Sequence, residues 1–256
     1  MNQSVKISVI TVCYNSEKTI EKTLESMLAQ TYANYEYIIV DGASTDRTLD
    51  IVNKYREKFG ERLKIISEPD DGIYDAMNKG IRNATGEIVG IINSDDYYES
   101  CALEEIVKAR FNTRDVDYAI YHGKMNSWAG DNVVDVSVMV PEELDDHMGP
   151  HPSCFVTRKT YEDLGMFDTK FKYVADYDFM LKMYKSGKVK FIPVDAIVAN
   201  FTLGGACSTH GAYLDLLKLR KKYGHMSGKE VFVARFKAKL AKMFENMGLK
   251  PIRLKK

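Results

Sequence analysis

Four short runs of nearly pure apolar, largely β-branched residues, each followed by a polar turn, most constrain what this chain can fold into. The first is Lys6 to Val12, and the second is Tyr35 to Val40, which ends at Asp41-Gly42. The third spans about Leu63 to Ile66, and the fourth, Glu87 to Ile92, runs directly into Asn93-Ser94-Asp95-Asp96. Unbroken apolar runs of this length are what strands buried on both faces require. Helical patterns separate them. Ile20, Leu24, Met27 and Leu28 form one apolar stripe behind a capping Ser16, a second helix runs to about Phe59, and a short one spans Ile73 to Ile81. Alternation of this kind predicts an α/β fold: a mixed, mostly parallel central sheet with helices on both faces. In such sheets ligands bind beyond the carboxyl ends of the strands. The polar residues at those ends therefore matter most.

The second half is less regular. Val116 to Tyr121 and Asn132 to Val138 read as strands joined by a turn at Ala129 to Asn132. A strand at Ser153 to Thr157 precedes a short helix closed by Gly165. A helix from about Tyr177 to Lys185 stops at Gly187, and strands at Val189 to Pro193 and Ala196 to Phe201 follow. These read as antiparallel additions to the first sheet. The expected organisation is one domain over 1–217, with a nucleotide-binding half (1–100) and an acceptor half (101–217), then an extension over 218–256.

Charge separates that extension from the body. The chain has 36 Lys and Arg against 36 Asp and Glu, but 13 of the former and only 2 of the latter lie from Lys218 to Lys256. The extension thus carries +11 and the body −11. Residues 229–247 place Phe232, Phe236, Leu240, Met243, Phe244 and Met247 on one helical face, with Arg235, Lys239 and Lys242 opposite. That pattern suits an anionic membrane surface; a helix packed on the acidic body accounts for it equally. No run of about 18 or more apolar residues occurs, and the start of the sequence is not that of a secretory signal. The four cysteines, Cys13, Cys101, Cys154 and Cys207, are widely spaced and form no C-x-x-C, so a reducing cytoplasmic setting is expected.

Three acidic features point to chemistry. Asp95-Asp96 closes an apolar strand; two carboxylates there repel each other, and a divalent cation would resolve the conflict, although a solvated turn has the same composition. Asp41 begins Asp41-Gly42-Ala43-Ser44-Thr45-Asp46, where Ser44 and Thr45 read as caps of the next helix, a capped turn that accounts for Asp46 as well, and Asp41 is left to accept from a ribose or a base. Asp176, in Ala175-Asp176-Tyr177-Asp178, opens a helix as a cap or as a general base. His151 lies between Pro150 and Pro152 on a loop, a candidate for acceptor or phosphate. Gly204-Gly205 is a candidate lid or a simple turn. No Gly-rich phosphate loop, G-x-S-x-G or H-E-x-x-H occurs.

Taken in order, five stretches resemble the family-2 glycosyltransferases with the GT-A fold that build bacterial surface polysaccharides. They are Ile7 to Asn15; Ile38 to Asp46; Asn78 to Ile81 with Ala84 to Ile88; Asn93 to Asp96; and Ala175 to Asp178. The resemblance covers about residues 5–210. It implies that Val12, Cys13, Tyr14 and Asn15 face a nucleotide, that Asp41 contacts its base, and that Ser44 and Ser94 line the same site. Asp95 and Asp96 would hold Mn²⁺ or Mg²⁺ on the diphosphate, and Asp176 would act as catalytic base. Asp70 to Gly80 is similar to a variant found in capsule and colanic-acid-type enzymes, with Asp71 and Lys79 bordering the nucleotide. The sequence departs from the usual pattern at Val12 (often Pro), Gly42 (usually a second Asp), Asn93 (often Asp) and Ala175 (often Glu).

The implied activity is an inverting transfer from a nucleotide sugar, UDP-linked on family frequency with GDP- or TDP-linked donors left open, to a saccharide or lipid-linked saccharide. Its expected place is cytoplasmic, peripheral on the inner face of a membrane. Three other readings compete. A nucleic-acid-binding protein would interleave aromatics with basic residues on an exposed face, and the acidic body disfavours it. A non-catalytic nucleotide-sugar sensor has no need of Asp176. A nucleotidyltransferase would want a Gly-rich loop after the first strand.

Overall fold

The computed structural model describes residues 4–204 and 210–246, with side chains through Gly204 and from Gly211 to Ala238. The four apolar runs form β1 (Ile7–Cys13), β2 (Tyr35–Asp41), β3 (Leu63–Ser67) and β4 (Ile88–Ile91). They lie parallel in the order β3-β2-β1-β4. Helices make the crossovers: α1 (Ile20–Leu28), α2 (Thr48–Lys54) with the single turn α3 (Arg56–Phe59), and α4 (Ile73–Asn83).

The period-2 pleat divides each strand between two helix layers. Ile7, Val9, Tyr37 and Ile39 share a core with Ile20, Leu24 and Met27 of α1. Ile10 turns to the opposite face, where α4 approaches so closely that a Cβ on Gly80 would stand 2.5 Å from Ile10 Cγ2. At the amino-terminal edge, Glu36 gathers Lys6 Nζ (2.8 Å), Ser8 Oγ (2.5 Å) and the Thr85 amide (2.6 Å). Burial opposes its charge, but these donors prevail and hold its carboxyl down at about 2.

The sheet continues from β4 through β8 (Cys154–Thr157), β6 (Ala119–Ala129), β9 (Lys190–Thr202) and the two-residue β5 (Tyr97–Tyr98), with β7 (Asn132–Val138) paired to β6. The hairpin expected at Ala129 to Asn132 joins β6 and β7. Strands β5, β7 and β8 are antiparallel additions, as expected, but β6 and β9 run parallel to each other. The two strands read at 189–193 and 196–201 are one, β9. Pro193 is accommodated because the pairing with β6 slips between His122 and Met125, a bulge that relieves the ladder at the proline. Helices α5 (Ala102–Phe111), α6 (Arg158–Leu164) and α7 (Ala175–Lys185) complete this part.

The chain divides into two compact units, one of residues 1–170 and 175–203, the other of 171–174 and 204 onward. In the second, α8 (His210–Lys222) and α9 (Gly228–Asn246) pack together. Asp215 on α8 is buried and accepts the Lys172 and Tyr173 amides at 2.7 and 3.2 Å. On α9, Val231 is buried, whereas Phe232 and Phe236 are 72% and 57% exposed. The apolar stripe read from the sequence is therefore open at its described end. The side chains of Leu240, Met243, Phe244 and Met247 fall outside the described residues. Among the described residues no helix is long and apolar enough to cross a membrane.

Candidate active site at the carboxyl edge of the sheet

The strand register brings three chain segments level. Cys13 at the end of β1 pairs with Asp41 of β2, which pairs with Ser67 of β3. Asp41 is 0% exposed. Its Oδ2 accepts from Ser67 Oγ (2.7 Å) and the Ser44 amide (3.1 Å), and its Oδ1 faces Cys13 Sγ at 3.7 Å. The carboxylate laces three strand ends together rather than pointing outward. Burial, then the adjacent carboxylate, pushes the Cys13 thiol far up, so it is no nucleophile.

The loops after β1 and β2 lock onto each other. The Asn15 amide donates to Ser44 Oγ (2.9 Å), and Asn15 Oδ1 accepts the Thr45 amide (2.9 Å). Asn15 and Ala43 both adopt left-handed backbone, φ 50° and 59°. Asn tolerates this region; Ala is strained in it, and such strain concentrates at functional sites. Ser44 and Thr45 do not cap α2. Helix α2 begins only at Thr48 after Arg47, and it is Asp46, one residue earlier, that accepts the Thr48 amide at 2.9 Å. Ser16 likewise does not cap α1 with its side chain, since its Oγ meets Ser94 Oγ at 2.8 Å. That contact joins the β1 loop to Asn93–Asp96. Tyr14 stands 64% exposed beside these loops.

The two aspartates after β4 are unlike. Asp96 is buried; its Oδ1 accepts the Thr202 amide (2.9 Å) and its Oδ2 lies 3.4 Å from Asn93 Nδ2. Burial, reinforced by Asp95, pushes its carboxyl up to about 8. Asp95 is half-buried, and burial raises it too. Asn93 Oδ1 is buried with no hydrogen-bond partner among the described residues. Two carboxylates penalised for their charge, beside an orphaned carbonyl oxygen, are a hard-oxygen set that suits Mg²⁺ or Mn²⁺. Among the described residues no three His, Cys, Asp or Glu side chains form a closed cage. The remaining ligands would then come from water and substrate phosphates.

Asp176, the second residue of α7, is 5% exposed. Its Oδ1 accepts from Tyr74 Oη at 2.8 Å and from the Tyr177 amide at 2.9 Å. His151 is not on a surface loop. Pro152 helps turn His151–Ser153 into a 3₁₀ turn that buries the imidazole, 8% exposed, with Nδ1 3.6 Å from Asp176 Oδ2. Burial drives His151 toward the neutral form, against the pull of Asp176. Neither Tyr74 nor this use of His151 is readable from local sequence; both contacts are made by distant segments.

The remaining candidates fall elsewhere. Lys79 Nζ is engaged by Pro69 O (2.6 Å), Glu68 (3.1 Å) and Asp75 (3.5 Å), bracing the segment before α4. Asp71 is exposed, and its amide donates to Asp75. Gly204 has φ 119°, and Gly205 lies outside the described residues.

Comparison with known proteins bears on the family and the fold. The family model described as glycosyl transferase family 2 matches residues 8–162. A PGL/p-HBAD biosynthesis glycosyltransferase of Mycobacterium bovis is 28% identical over 208 residues, 79% of each chain. The structure of Staphylococcus aureus TarS 1–349 in complex with UDP-GlcNAc superposes with TM-score 0.67 at 24% identity, covering 84% of this chain and 65% of that one. A mannosyltransferase from Pyrobaculum calidifontis in complex with GDP-Man and Mn²⁺ gives TM-score 0.65 at 20% identity, covering 88% and 66%. At these identities the two structures speak to the fold, and the chain spans just under two thirds of each.

The raised carboxyl of Asp96 has a testable sign. Its side chain ionises near 8 when folded and near 4 when unfolded, so the unfolded chain loses that proton first as pH rises. The stability of cation-free protein should therefore fall between about pH 4 and 8. Asp96→Asn keeps an acceptor for the Thr202 amide and removes the titration. Its melting temperature should fall less across that window, and an identical fall in both proteins would contradict the buried charge.

Proposed function

The chain belongs to glycosyl transferase family 2, and from that membership we propose that it transfers a sugar from a nucleotide-sugar donor to an acceptor hydroxyl with inversion at the anomeric carbon. The observation that carries the chemical assignment is the state of Asp176: buried, with one oxygen held by Tyr74 and its own helix amide. Oδ2 is then the oxygen that takes the proton of the acceptor hydroxyl. The acceptor oxygen forms its bond to the anomeric carbon as the bond to the departing diphosphate breaks from the opposite face. This is the stereochemistry of inverting glycoside hydrolysis with a sugar hydroxyl in place of water. His151, driven toward the neutral form by burial, lies on the other side with Nδ1 3.6 Å from Oδ2.

The donor lies along the loops after β1, β2 and β4, against the Val12 to Asn15 backbone, Ser44 and Ser94. UDP- and GDP-linked sugars bound to proteins of the same fold support this class of donor. Asp95, with Asp96 behind it, would hold a divalent cation, which supplies positive charge for the leaving diphosphate. The acceptor is proposed to be a saccharide or lipid-linked saccharide of a surface glycan. The exposed Phe232 and Phe236 of α9, among basic residues, would rest on an anionic bilayer and bring the enzyme to such an acceptor.

Asp176→Asn should abolish transfer while leaving donor affinity nearly unchanged, and excess chelator should stop the wild type. Near-normal turnover of the variant, or full activity in chelator, would reject the corresponding role. For the membrane contact, the double variant Phe232→Ser, Phe236→Ser should sediment far less with phosphatidylglycerol vesicles than the wild type does. Equal sedimentation, or none by the wild type, would sink that contact.

A further inference from the structure

We propose that Asp70 carries the carboxylate that reads the donor's base, and that it does so through the space left by the missing side chain of Gly42. The proposal rests on the donor reading above and names the residue that selects the nucleotide. Asp41 is poorly placed for the task. It has no exposed surface, and turning it outward would break its bonds to Ser44 and Ser67 and leave buried groups unpaired.

The next residue opens the rim. A Cβ on Gly42 would stand 2.5 Å from Asp70 Oδ2 and 3.4 Å from Tyr14 Cδ2. The backbone of Gly42 is not left-handed, so what glycine provides here is close approach: a Cβ would displace that carboxylate. The carboxyl of Asp70, half-buried, therefore occupies the place into which a side chain at position 42 would project. It is held there from two sides. Asp70 Oδ1 accepts the Gly72 amide at 2.9 Å, and Lys79 Nζ grips the neighbouring Pro69 carbonyl at 2.6 Å. With Oδ1 so occupied, Oδ2 is the oxygen over Gly42. Beside it the Tyr14 ring is mostly exposed.

An acceptor oxygen next to an open aromatic face is what a planar ring with an edge N–H would use, stacking on one and donating to the other. The chemistry discriminates among bases. Uracil and thymine present a ring N–H at N3 and guanine at N1. Cytosine N3 and adenine N1 present a lone pair, which a carboxylate repels, so only their exocyclic amines at the corner of that edge could donate, with the repelled ring nitrogen beside them. The site should therefore take uridine, thymidine or guanosine diphosphates over cytidine or adenosine diphosphate. Rejection is strong when a buried or fixed polar group is left without its partner.

The test is calorimetric binding to the full chain of UDP, GDP, CDP, ADP and, as a probe without a base, ribose 5-diphosphate. The wild type should bind UDP or GDP at least tenfold more tightly than CDP, ADP or the baseless probe. Asp70→Asn can still accept the Gly72 amide but turns a donor toward Gly42. It should lose at least tenfold in affinity for the preferred nucleotide and leave ribose 5-diphosphate unchanged. Gly42→Ala, which must displace the same carboxylate, should reproduce that loss. Unchanged affinity in both variants would overturn the proposal. So would an equal loss for the nucleotide and the baseless probe, because Asp70 would then only hold its loop. A wild type that binds the preferred nucleotide no better than ribose 5-diphosphate overturns base reading while leaving the donor site standing. A wild type that binds no diphosphate removes the donor reading itself, and this assignment with it.

Discussion

A single buried carboxylate organises the working edge of this sheet. Asp41 sits where β1, β2 and β3 end level, and its oxygens collect a hydroxyl from β3, an amide from its own loop and the thiol of β1. Removing a charged group from water is costly unless its lone pairs are filled, so the loop from Gly42 to Ser44 must fold back to supply the amide. That fold puts Ala43 into left-handed backbone and presents Ser44 to Asn15, which fastens the β1 loop. Ser16 then carries the linkage to Ser94 and the aspartates after β4. The rim is one connected polar structure, and its geometry follows from satisfying Asp41.

The aspartates after β4 illustrate the opposite solution. Asp96 is buried with an amide and a weak amide contact for company, and it stays protonated to about pH 8. One carboxylate of the rim is thus laced to donors from three strand ends, and another is under-compensated. The second condition is the one a bound cation would relieve, so the same residue type, at the ends of two different strands of one sheet, serves two different ends.

The four parallel strands were legible because burial on both faces demands continuous apolar runs, and the helices between them because their apolar residues recur at helical spacing. Position at a strand end was legible too, and it picked out Asp41, Ser94, Asp95 and Asp96. Orientation was not. Whether Asp41 faces in or out depends on Ser67 and Ser44, residues fixed by strand register rather than by local pattern. Tyr74 and His151 meet Asp176 across more than a hundred residues and across twenty-five, respectively, a pairing that no periodicity encodes. Strand β9 was split in two because Pro193 reads as a terminator, and only the slipped register with β6 shows how the ladder passes it. The tail was read as a helix with Phe232 and Phe236 on its apolar face; in α9 both are exposed, and the buried residue is Val231, one position off that stripe.

The segment between β3 and α4 is bolted down along its length. Asp70 ties the Gly72 amide, Asp75 ties that of Asp71, and Lys79 clamps Pro69, Glu68 and Asp75 from the following turns of α4. At its far end Tyr74 reaches Asp176. A stretch so fastened behaves as a jig and not as a flap: it transmits position from one end to the other without having to move. The carboxylate over Gly42 and the phenol that holds the carboxylate on α7 thus stand four positions apart on one fastened stretch, so a substitution between them bears on both.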